Sequence, residues 1–165
     1  MAILAHINKK LFGKEDVAIA NYLDPNLVLF LSNENRDDAL HALTDLINQA
    51  GKLKDRDAFF TGVCDREKIV STGIGLGVAI PHAKLFGYTE FFIAIGIQNN
   101  HGIEWNSLDK LPVNLIFMIG GPDDRQTEYL KILSRLTCAI KDEERRRKLV
   151  LAKDGTQVID LFEGC

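Results

Sequence analysis

The chain has 165 residues, 46% of them hydrophobic and 26% charged, and its 20 basic and 23 acidic residues leave a formal net charge of -3. This size and balance predict one compact domain over residues 1–165 with a single sizeable core, and they provide no basic field that would hold nucleic acid. Three cysteines, Cys64, Cys138 and Cys165, are odd in number and lack metal-type spacing, which argues against a disulfide framework and against a zinc site. The apolar start is soon followed by Lys9 and Lys10, too early for a signal sequence, and no later run reaches membrane-spanning length. A soluble cytoplasmic protein is expected, in a reducing compartment.

In chain order, the apolar run 27–31 reads as a buried strand, and Ser32-Asn33-Glu34-Asn35 supplies a turn and a helix N-cap. Ala39, Leu40, Leu43, Leu46, Ile47 and Ala50 then recur at helical spacing, with Gly51 as the stop. A shorter helix is predicted over 55–64, burying Phe59, Phe60 and Val63. Runs 91–97 and 113–119 have the length and the β-branched or aromatic content of interior strands, and Gly120-Gly121-Pro122-Asp123 reads as a turn after the second. A helix over about 125–140 presents Tyr129, Leu130, Leu133, Leu136 and Ile140 on one face. The charged stretch 141–148 places acids first and bases last, which suits a solvated helix and its dipole without any partner. A final short helix opens at Gly155. Interleaved apolar strands and amphipathic helices predict an α/β domain with a mixed sheet flanked by helices.

One segment, 65–82, is of a different character. Gly73, Gly75 and Gly77 fall at every second position, so the backbone can take positive φ and turn N–H groups toward an anion such as phosphate. The dinucleotide fingerprint fails because Val78 stands at the third glycine position, and the Walker pattern lacks its Gly-Lys-Ser/Thr ending. Val78-Ala79-Ile80 reads as a short strand that Pro81 ends, leaving His82 at its rim. Neutral imidazole is a nucleophile near pH 7, and its N–P bond stays reactive enough to pass a phosphoryl group onward. Arg66 supplies a planar fork of donors for the phosphoryl oxygens, so neither metal nor cofactor is required.

Arg66-Glu67, Ser71-Thr72-Gly73-Ile74-Gly75, Gly77, Ala79 and Pro81-His82 together resemble the active-site signature of phosphotransferase-system enzyme IIA domains of the mannitol, fructose and nitrogen-regulatory class. The resemblance extends over about 23–162, taking in Trp105, Asp109, Pro112-Val113 and the leucines around Leu130 and Leu133. It implies the mannitol-type IIA fold and a phosphoryl group received on His82 from a carrier protein of the HPr type, with Arg66 steadying the phosphohistidine. The group would pass to a IIB cysteine, or its presence would serve as a regulatory signal. Many members of the class carry a second histidine before a leucine in the helix after the Gly-Pro turn; here Tyr129 stands at that position, before Leu130. Its hydroxyl can donate a hydrogen bond but carries no charge.

The remaining candidates divide between phosphate support and ordinary structure. Ser71, Thr72, Gly73 and Gly75 serve either to hold phosphate or to shape a turn, and Tyr129 belongs either to the site or to the core. Arg66 has a surface ion pair with Glu67 or Asp65 as its alternative. His6 and His41 are given no role, His101 reads as a turn residue, and Cys64 beside Asp65 reads as packing, since the acid opposes a thiolate. A phosphocarrier without fused transport regions is the expected function. The alternative is a non-catalytic regulatory module that keeps the fold and binds a protein through the surface around Tyr129.

Overall fold

A computed structural model describes residues 16–32 and 35–165; His6 and the turn residues Asn33 and Glu34 lie outside them. Among the described residues six strands form one sheet: β1 Val28–Phe30, β2 Gly73–Gly75, β3 Val78–Ala79, β4 His82–Leu85, β5 Phe92–Ile97 and β6 Leu115–Pro122. Their order is β1-β5-β6-β3-β2, with β4 also on β6. The β5–β6 and β2–β3 pairs are antiparallel and the others parallel, so the sheet is mixed as expected.

Both faces of the sheet are covered. Ile93, Ile95, Ile97, Leu115, Phe117 and Ile119 pack on one side with residues of α3 Gln126–Ile140 and of α5 Gly155–Asp160. Ala94, Ile116 and Met118 face the opposite side, against Leu40, Leu43 and Ile47 of α1 Arg36–Gln49 and Phe59 and Val63 of α2 Arg56–Ile69. Burial on both faces explains why the sequence of β5 and β6 is a continuous apolar run rather than an alternating one.

The helix limits follow from local chemistry. Asn35 caps α1 by accepting from the Asp38 amide at 2.9 Å, and Gly51, at φ +75, follows its end. Asp55 caps α2 in the same way through the Ala58 amide, but α2 runs to Ile69, past the predicted limit at 64. The apolar periodicity stops at Cys64 because the last turn buries Glu67 instead of a hydrocarbon and exposes Ile69. Arg66, Glu67 and Lys68 are all good helix formers. In the charged helix, α4 Glu143–Leu151, Arg145 and Arg146 donate to the carbonyls of Ala139, Ile140 and Lys141 at the end of α3. Its bases are thus used within the molecule.

Two predicted boundaries change. The expected turn at 120–123 is instead the continuation of β6 through Pro122. Gly120 and Gly121 are there for close approach: a Cβ would lie 2.4 Å from the Phe92 ring at the first and 2.3 Å from the Phe91 ring at the second. Nor does the chain leave the sheet at Pro81. Ala79 pairs with Ile116 and His82 with Ile119, so β3 and β4 are two parts of one strand in a single register along β6. Pro81 lacks an N–H but its carbonyl accepts from Ile119 at 3.0 Å, and that bond carries the register across the gap. Among the described residues no helix is long and apolar enough to cross a membrane.

Candidate active site

His82 opens β4, and the alternation of the strand puts it with Ile80 and Lys84 on the face covered by α3. Among the described residues β4 pairs only with β6, so the histidine stands on an edge of the sheet although it is within a strand. Its Nδ1 lies 3.0 Å from the Ile80 carbonyl oxygen. A carbonyl only accepts, so Nδ1 carries the proton and the Nε2 lone pair is left as the nucleophilic end of the ring.

Burial pushes the His82 pKa below its ordinary 6.5; the bond to Ile80 opposes this, the Arg66 and Lys84 charges push further down, and Glu67 pulls up. A depressed histidine pKa means that the neutral, nucleophilic form persists to lower pH. Tyr129, the other titratable group against the ring, is itself held neutral by burial. We therefore expect the His82 ring protons to titrate in NMR with a midpoint below 6.5, so that the neutral, nucleophilic ring is lost only as pH drops through that midpoint. A midpoint above 6.5 would contradict this account.

Arg66 lies in the last turn of α2, where Nη1 donates to the Val70 carbonyl at 2.9 Å. Its alternative, an ion pair with Asp65 or Glu67, does not form: Asp65 pairs with Lys68, while Glu67 turns inward. The buried Glu67 carboxylate accepts from the Thr72 amide at 3.0 Å and from the Thr72 hydroxyl at 2.6 Å, and Arg36 stands 3.9 Å away. Trp105 Nε1 donates to Thr72 Oγ1 at 3.2 Å, and the Ser71 hydroxyl donates to the Trp105 carbonyl at 2.7 Å. Thr72 in turn accepts the Ile80 amide at its carbonyl, at 3.1 Å. A continuous set of bonds thus runs from Trp105 through Thr72 to Ile80, whose carbonyl holds the histidine.

The other candidates are placed as follows. Ser71 and Thr72 spend their hydroxyls on Trp105 and Glu67, and the Gly73 amide donates to Ser71 Oγ at 3.1 Å. Gly75, at φ +93, turns the β2–β3 hairpin and pairs with Val78. That is roughly 13 Å along the strand from His82 by the rise of an extended chain. The structure thus brings Arg66 and Tyr129 to His82 but leaves Gly75 at the far end of the hairpin. There the Leu76 amide donates to Asp109 at 3.0 Å. Tyr129 is buried, its ring 5.5 Å from that of His82 and 6.2 Å from that of Phe91.

Elsewhere, His41 stacks on Phe60 at 3.8 Å, His101 is exposed in a turn, and burial raises the Cys64 thiol. Among the described residues no group of three or more His, Cys, Asp or Glu is placed to hold a metal. Lys84, the Ile80 carbonyl and the Trp105 network were missed by the reading of the sequence. For Lys84 a signal existed, since it falls two positions after His82 on a strand.

This mixed sheet with helices on both faces is the fold of IIA mannitol from Escherichia coli, on which the chain superposes with a TM-score of 0.71 at 17% identity, over 85% of this chain and 98% of that one. The family described as phosphoenolpyruvate-dependent sugar phosphotransferase system, EIIA 2, matches residues 21–165, and the chain belongs to it. It is 35% identical over 134 residues to the fructose-specific EIIABC component of Bacillus subtilis, covering 81% of this chain but only 21% of that protein. To the fructose-specific EIIA component of Haloferax volcanii it is 34% identical, covering 77% of this chain and 82% of the relative. The nitrogen regulatory protein IIA-Ntr of Neisseria meningitidis superposes with a TM-score of 0.80 at 25% identity, over 88% of this chain and 99% of that one.

Proposed function

We propose that this chain is a single-domain cytoplasmic phosphocarrier, with His82 Nε2 as the acceptor atom and a phosphohistidine carrier protein of the HPr type as the donor. The observation that carries the reading is the bond from His82 Nδ1 to the Ile80 carbonyl, which leaves the Nε2 lone pair free on a ring that feels the Arg66 charge. In the transfer the donor N–P bond breaks and its electron pair returns to the donor imidazole, while the Nε2 lone pair forms the new N–P bond. Positive charge develops on the His82 ring, and the Ile80 carbonyl stabilises it through Nδ1–H. Arg66 stabilises the phosphoryl oxygens. Ser71, Thr72 and Gly73 support the site by holding the turn that follows Arg66, and Gly75 by shaping the hairpin.

The acceptor must be reached by another protein's histidine, and the elements that converge on His82 end in exposed apolar side chains. Ile69 and Val70 lie at the end of α2, Phe86 after β4, and Leu130 on α3, with Phe86 90% exposed. Such a rim suits docking of a small carrier and then of a IIB component or a regulatory target. A non-catalytic regulatory module is the second reading, favoured by the uncharged Tyr129 at the position where the resemblance implies a second histidine in many members of the class.

Intact-mass analysis after mixing the protein with phosphoenolpyruvate, enzyme I and HPr, at a pH that preserves phosphohistidine, tests the proposal. One acid-labile phosphate is expected on the natural chain and none on His82→Ala. A natural chain that takes up no phosphate while His82→Ala still binds a partner would move the assignment to the regulatory module.

A further inference from the structure

Arg66 and Lys84 both act on His82, and neither has a carboxylate partner among the described residues. Lys84 is two positions beyond His82 on β4, so both side chains leave the same face of the strand. The Lys84 ammonium sits 4.3 Å from the centroid of the Tyr129 ring, and that ring lies 5.5 Å from the imidazole of His82. Gln126, at the start of α3, accepts one Lys84 N–H through Oε1. An ammonium has three donors, and the attraction to the face of an aromatic ring is electrostatic and places the charge without a lone pair. Two uncompensated cations beside one nucleophilic histidine repel each other and the protonated ring. An anion arriving between them would relieve that repulsion.

We infer that Lys84 is a second catalytic cation of this site: steadied by the face of the Tyr129 ring and by Gln126, its ammonium contacts an oxygen of the phosphoryl group on His82. Tyr129 is then a positioning residue, acting through its ring rather than its hydroxyl. The positive charge absent from the side chain at position 129 is supplied by the lysine that rests on it. No proton transfer is part of the step; only the N–P bonds change. This inference rests on the phosphocarrier reading of His82.

The test compares Lys84→Met, Lys84→Arg, Tyr129→Leu and the Lys84→Met/Tyr129→Leu double variant in rapid-quench transfer from phosphorylated HPr, with thermal melts to establish that each is folded. Lys84→Met is expected to slow transfer about tenfold or more, as loss of a donor to a charged transition state does, and Lys84→Arg to recover most of that loss. The double variant should be no slower than the slower single, because both changes remove one ammonium from one place. The His82 midpoint should rise in Lys84→Met, since a positive neighbour has been taken away. A Lys84→Met variant that accepts phosphate at the natural rate overturns the role of Lys84 and leaves the phosphocarrier reading intact. Equal losses in Lys84→Met and Lys84→Arg also overturn it, because charge is then not what matters. Failure of the natural chain to accept phosphate overturns both.

Discussion

Arg66→Met is expected to slow phosphoryl acceptance by His82 about 10²- to 10³-fold while the protein remains folded, the size of effect seen when a fixed donor to a charged transition state is removed. Methionine keeps the aliphatic stem and removes the fork. The structural loss is one bond, from Nη1 to the Val70 carbonyl at the end of α2, worth about 1 kcal/mol. Circular dichroism and thermal melting should therefore change little. Arg66→Lys should recover only part of the rate, because an ammonium is a point charge and offers no planar pair of donors. A second readout separates electrostatics from disorder: the Arg66 charge depresses the His82 pKa, so its removal moves the NMR midpoint upward. An unchanged rate with a shifted midpoint would place Arg66 near the histidine but outside the transfer step.

Trp105→Ala should be among the most destabilising single changes, at about 3–5 kcal/mol. The side chain is fully buried, and its removal leaves a large void against α1 and α2. At about 2–4 °C per kcal/mol for a chain of this length, the melting temperature should fall by roughly 6–20 °C. The consequence reaches the site as well. Without the indole N–H, Thr72 loses the donor to its hydroxyl, and Thr72 both binds Glu67, next to Arg66, and accepts the amide of Ile80. Phosphoryl acceptance should accordingly drop at temperatures where the variant is still folded. Trp105→Phe keeps much of the volume but removes the N–H and part of the five-membered ring, so its stability loss should be smaller than that of alanine, about 2 kcal/mol. A melt for Trp105→Ala within 2 °C of the natural protein would contradict the burial on which the argument stands.

The parts of the molecule legible in the sequence are those whose cause is local. Helical spacing from Ala39 to Ala50 and from Tyr129 to Ile140 located α1 and α3, because an amphipathic face needs nothing beyond its own periodicity. The apolar runs located β5 and β6 for the same reason. The segment ending in Pro81-His82 singled out the histidine, and its match to the IIA class was specific enough to give the fold. Errors came where one residue type has two uses. Gly120 and Gly121 suggested a turn, but their missing side chains make room for Phe91 and Phe92. For the hairpin glycines the sequence left phosphate support and turn-shaping open, and in the structure Gly75 turns the hairpin opposite Val78.

By itself the sequence determined the class of fold, the family, and the pair His82 and Arg66 as the place to look, since these rest on periodicity and on a contiguous motif. Only the tertiary structure decided which nitrogen of His82 is free, because that depends on the carbonyl of Ile80 two residues away in a particular strand geometry. It alone brought Lys84 onto Tyr129 and tied Trp105 through Thr72 to the histidine. Those contacts join residues on different elements, and strand register and helix packing, which no local pattern encodes, are what set them side by side.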